Sequence, residues 1–67
     1  METFAEKLRA ARAAAGLTQQ NMADLMEIPK RTVEDWERSK STPPAYVQRF
    51  VLNELIEMVL LTTQQNE

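Results

Sequence analysis

The sequence predicts an all-α fold, a small bundle of four or five helices with helical segments at about residues 3–15, 18–26, 29–38 and 44–62. Three observations predict it. Apolar residues recur three and four positions apart in each segment, the period of a helix face. The lone glycine, Gly16, and the three prolines, Pro29, Pro43 and Pro44, fall at the boundaries of these segments and not in their interiors. The chain is also rich in Ala, Leu, Glu, Gln and Met, all strong helix formers.

The first helix carries Phe4, Leu8, Ala11 and Ala15 on one face, with Glu6, Lys7 and Arg9 elsewhere. Thr3 suits its N-cap, and Gly16 stops it by tolerating the left-handed conformation at the residue after the helix. Thr18 offers a second N-cap, and Met22, Ala23, Leu25 and Met26 form the apolar stripe of a short second helix. Pro29 opens the third, because a proline at the first helical position forfeits no intrahelical hydrogen bond. There Val33 and Trp36 point inward and Lys30, Arg31, Thr32, Glu34 and Asp35 outward. Two short helices joined by a few residues make a helix-turn-helix in the geometric sense. Ser39 to Pro43 reads as a polar loop, after which nothing interrupts a helix from Ala45 to about Thr62. Thr63 to Glu67 reads as a polar, frayed tail.

At 67 residues there is room for one domain, residues 1–67, with no internal repeat and no linker. Cysteine and histidine are both absent, which excludes disulfides, thiolate or imidazole metal sites and the commonest general acid-base side chain. Glu34, Asp35 and Glu37 cluster, yet Glu34 and Asp35 are adjacent and face different directions on a helix. With no Gly-rich phosphate loop or activated nucleophile, the chain is expected not to be an enzyme and to need no cofactor, metal or small-molecule substrate. No apolar run reaches the roughly 18 residues needed to span a membrane, and no signal peptide opens the chain, so an intracellular, cytoplasmic protein is expected.

Leu17-Thr18-Gln19-Gln20-Asn21-Met22-Ala23-Asp24-Leu25-Met26-Glu27-Ile28-Pro29-Lys30-Arg31-Thr32-Val33-Glu34-Asp35-Trp36-Glu37-Arg38 resembles the helix-turn-helix of phage repressors and Cro proteins, the XRE family. The features that carry the resemblance are Gly16-Leu17-Thr18-Gln19 entering the second helix, Ala23 in its middle, Thr32 to Glu37 in the third, and a basic loop leading to proline. It covers Phe4 to Tyr46. Two positions depart from the family pattern. Glu27 stands where the turn usually has glycine, and Ser39 where glycine commonly follows the third helix; each is strained if its φ is positive.

The resemblance implies a bacterial or phage-encoded regulator whose third helix enters the major groove of double-stranded DNA. It implies base contacts from Lys30, Arg31 and Thr32, then Glu34 or Asp35 one turn later. The chemistry fits: basic side chains suit guanine O6 and N7, threonine a thymine methyl, and a carboxylate the cytosine amino group. Thr18 and Gln19 at the second helix's N-terminus, with Arg38, Lys40 and Ser41 in the following loop, are the implied phosphate contacts. Arg12 and Glu37 match a pair that in related repressors forms a partly buried salt bridge, and Trp36 falls where the family keeps a large apolar core residue. The net charge of −2 weighs mildly against DNA, whose binding depends on phosphate neutralisation. The acidity is unevenly spread, however: Ile28 to Arg49 holds five basic residues (Lys30, Arg31, Arg38, Lys40, Arg49) against three acidic ones, whereas Phe50 onward holds Glu54, Glu57 and Glu67 and no basic residue.

In the last helix Val47, Phe50, Val51, Leu52, Leu55, Ile56, Met58 and Val59 sweep more than half the circumference. A surface helix needs only about 100° of apolar arc to cover a core. The excess predicts a homodimer through this helix, with Val51, Leu55, Met58 and Val59 at the interface and Tyr46 and Phe50 in the core. A heterologous protein partner, as for an antitoxin, is the alternative occupant, and a longer intramolecular core a further one.

Overall fold

In the computed structural model the backbone is described for residues 2–65 and the side chains for residues 2–61. Among the described residues the chain forms helices and no strand: α1 (Phe4–Ala14), α2 (Gln19–Met26), α3 (Lys30–Glu37) and α4 (Ala45–Gln65).

Local chemistry sets each boundary. Thr3 caps α1 by accepting the Glu6 N–H, and the Glu6 carboxylate accepts the Thr3 N–H in return, a reciprocal capping box. Thr18 and Asn21 repeat the device at α2. Pro29, expected as the first residue of the third helix, is its N-cap instead: its ψ of 144° is extended, and helical geometry begins at Lys30. The far ends share one solution. After α1, α2 and α3 the chain turns left-handed at Gly16 (φ 74°), Glu27 (φ 57°) and Ser39 (φ 60°). In each case the next residue's N–H reaches back five positions, Leu17 to the Arg12 carbonyl, Ile28 to Ala23 and Lys40 to Asp35, at 3.1, 3.0 and 2.8 Å. This is the Schellman closure, which satisfies carbonyls that the end of a helix leaves free. Both positions where the sequence departs from glycine thus take the positive φ that glycine favours.

The core gathers Leu8 from α1, Met22 and Ala23 from α2, Val33 from α3, and Val51 and Leu55 from α4. Phe4, Ala11, Ala15, Leu17, Met26, Ile28, Trp36, Val47 and Met58 pack around it, and the Phe4 and Trp36 rings meet edge to face at 5.9 Å. Burying side chains as large as Leu8, Met22 and Leu55 supplies about 1.5–3 kcal/mol each. Ala23 is 1% exposed within the core that α2 shares with Val33 of α3, where a bulkier side chain would overpack the helices.

The last helix differs from its sequence-based reading in three ways. Val51 and Leu55, expected at a dimer interface, are 4% and 0% exposed within the single chain, because their face of α4 lies on α1 and the core. Met58 also packs against the core, and Val59 is half-buried. Tyr46 and Phe50, expected in the core, are 70% and 62% exposed, since they project from the side of α4 turned away from it. The helix also continues to Gln65, past the expected end at about Thr62, for glutamine is a good helix former and no breaker intervenes. Asn66 and Glu67 lie outside the described residues. No described helix is long and apolar enough to cross a membrane.

Candidate nucleic-acid interface

The third helix is held by a polar clamp at its C-terminal end. Glu37 is only 5% exposed, and an unpaired carboxylate there would carry a heavy desolvation cost. Arg12 answers it with two parallel bonds, Nε to Oε2 at 2.6 Å and Nη2 to Oε1 at 3.1 Å. Gln19 donates its side-chain amide to Oε1 at 3.0 Å. Arg12 also donates Nη1 to the Leu17 carbonyl at 3.0 Å, and Arg9 donates Nη1 to the Glu37 carbonyl. One carboxylate therefore joins α1, the start of α2 and the end of α3. Among the described residues no buried side-chain nitrogen or oxygen lacks a hydrogen-bond partner.

This clamp fixes which end of α3 faces where. The Gln19–Glu37 contact brings the N-terminus of α2 beside the C-terminus of α3 and so gathers Thr18, Gln19 and Arg38 into one neighbourhood. Lys40 and Ser41 join it through backbone N–H bonds to the Asp35 carbonyl, at 2.8 and 3.4 Å. Thr18, Arg38, Lys40 and Ser41 are exposed there; Gln19 is half-buried, with one amide N–H still uncommitted.

Lys30, Arg31 and Thr32 stand at the opposite end, about 10 Å along the helix. Lys30 and Arg31 are exposed; Thr32, Glu34 and Asp35 are half-buried. Lys30 Nζ lies 4.0 Å from Glu34 Oε2, one turn on, a loose surface pair. The Arg31 side chain makes no hydrogen bond or ion pair with any described residue. A guanidinium so placed can form two parallel bonds to a planar acceptor pair. Val33 is fully buried and Trp36 half-buried on the opposite side, which turns the polar row outward. Among the described residues no group of three or more Asp, Glu, His or Cys side chains is placed to hold a metal ion.

Sequence reasoning did not single out Arg9, and it assigned Gln19 to phosphate without its bond to Glu37. The spacing of Arg9 and Arg12, three apart and so neighbours on one helix, was the available signal.

A buried, clamped helix pair that leaves a polar row projecting from its second member is the arrangement of a helix-turn-helix reading head. The family model described as "helix-turn-helix domain" matches residues 3–58. The chain belongs to the helix-turn-helix domain family. The match runs from the Thr3 cap of α1 to Met58, the last described α4 side chain on the core, so the helix-turn-helix domain includes most of the long final helix. It agrees with the repressor and Cro resemblance of residues 17 to 38 and marks the protein as a DNA-binding type. No curated protein and no solved structure matches the chain.

Proposed function

We propose that this helix-turn-helix protein is a sequence-specific transcriptional regulator, a small repressor that works as a homodimer in the cytoplasm of a bacterium or of a phage-infected cell. The observation that carries the reading is Arg31: an exposed guanidinium, unpaired among the described residues, at the start of a helix whose other end is locked by Glu37.

With α3 in the major groove, Arg31 addresses guanine O6 and N7, and Lys30 does the same once it leaves Glu34. Thr32 meets a thymine methyl, and Glu34 or Asp35 accepts from a cytosine amino group. Thr18, Gln19, Arg38, Lys40 and Ser41 hold the sugar–phosphate strand alongside, fixing register without reading sequence. Dimerisation sets two such heads on half-sites about 34 Å apart and doubles the phosphate contacts of a monomer that is acidic overall. Nothing in this scheme calls for a catalytic step, a cofactor or a small-molecule substrate.

A second reading, an antitoxin-like module that binds another protein, is favoured by Leu60 and Leu61, 56% and 58% exposed near the end of α4. Selection of bound fragments from random-sequence duplex DNA, followed by footprinting, tests the primary reading. Enrichment of a two-fold symmetric site supports it. A folded protein that enriches no sequence at low salt overturns it.

A further inference from the structure

Every described α4 side chain that the core takes (Val47, Val51, Leu55 and Met58) lies on one side of the helix. At about 100° per residue, the opposite side is centred on Asn53 and carries Tyr46, Arg49, Phe50, Asn53, Ile56, Glu57 and Leu60. All seven are exposed, the four apolar ones by 70%, 62%, 50% and 56% in chain order. They form two interleaved rows, Tyr46-Arg49-Asn53-Ile56-Leu60 and Tyr46-Phe50-Asn53-Glu57-Leu60, each stepping by three and four as a helix-pairing seam does. Arg49 and Glu57 have no ion-pair partner among the described residues.

The seam is complementary to itself when reversed. Tyr46 and Leu60 each lie seven residues from Asn53, Arg49 and Glu57 four, and Phe50 and Ile56 three. We infer that α4 pairs antiparallel with the α4 of a second copy about a two-fold axis at Asn53. Each aromatic end then covers the other copy's aliphatic end, Tyr46 on Leu60 and Phe50 beside Ile56. Arg49 of each copy stands level with Glu57 of the other, two ion pairs for one dimer. The two Asn53 side chains meet on the axis, and a polar residue within a seam fixes register. A parallel pair would instead set Arg49 against Arg49 and Glu57 against Glu57, so the charges select the reversed orientation. A second copy is thus a better fit than an unrelated chain: the face supplies both halves of its own match, as a two-fold interface requires.

This inference gives residues and direction to the homodimer of the proposed function, and its test contains no DNA, so the two can fail separately. Sedimentation of the full chain over a concentration series up to about 1 mM reads the dimer directly. Arg49→Glu and Glu57→Arg should each weaken it about tenfold or more, and the double reversal should restore it to near the wild-type value. Because the chain has no cysteine, crosslinking is clean. Tyr46→Cys/Leu60→Cys should oxidise to a covalent dimer while neither single variant does. Within one chain these positions are about 20 Å apart, too far to bridge. A monomer throughout the series, no rescue by the double reversal, or covalent dimers from either single cysteine would each overturn the inference.

Discussion

Arg12 and Glu37, twenty-five positions apart in the chain, are joined by two side-chain bonds of 2.6 and 3.1 Å, and the shared carboxylate is 4% exposed whereas the arginine keeps 20%. The pair fastens the end of the exposed third helix to the first helix, so the orientation of Lys30, Arg31 and Thr32 depends on a contact that touches none of them.

Removing one partner strands the other. Glu37→Ala should cost about 3 kcal/mol, the low end for a buried pair because Arg12 reaches solvent. Glu37→Gln, which keeps an acceptor for Arg12 and Gln19, should cost less. Chemical denaturation of both variants checks the order; equal, negligible losses would mean that the clamp contributes little.

The left-handed residues give a prediction of opposite sign. Glu27 and Ser39 hold positive φ with side chains that disfavour it, so Glu27→Gly and Ser39→Gly should each stabilise by about 0.5–1 kcal/mol. Gly16→Ala should destabilise by about 1 kcal/mol through backbone strain alone, since a Cβ there meets nothing within 4 Å. Thermal unfolding of the three variants decides.

Ala23 is the packing test. Ala23→Leu forces extra volume into the core that α2 shares with α3 and should cost about 1–3 kcal/mol. DNA binding should fall further than stability does, because the displaced helix carries the base-reading row. Comparison of the unfolding midpoint with the affinity of the remaining folded protein separates the two effects.

The helices were legible in the sequence because their boundaries are written in local chemistry: Thr3 and Thr18 as caps, Gly16 as a stop, Pro29 and the Pro43-Pro44 pair as starts. The charged row of α3 was legible for the same reason, since Val33 and Trp36 fix the inward side of a short helix. The faces of α4 were not. Apolar residues lie nearly all round it, so periodicity could not say whether Val51 and Leu55 or Tyr46 and Phe50 meet the core; that choice depends on where α1 lies, a relation between segments separated by residues 15–44. The bond from Gln19 to Glu37 was not legible either, because the two residues are eighteen positions apart.

Loop contacts to phosphate should act without regard to sequence. Arg38→Ala and Lys40→Ala are expected to weaken binding to a selected site and to unrelated duplex alike, each lowering the salt slope by about one. A titration series against both duplexes at several salt concentrations checks this. A loss confined to the selected site would move these residues to the base-reading set.

The most direct test of the central claim is the affinity of wild type and Arg31→Ala for a selected duplex and for an unrelated one, measured side by side at fixed salt. Base reading by Arg31 predicts a loss of about 1–3 kcal/mol on the selected duplex, with a much smaller loss on the unrelated one. Equal losses on both, or none on either from a variant that remains folded, would contradict it.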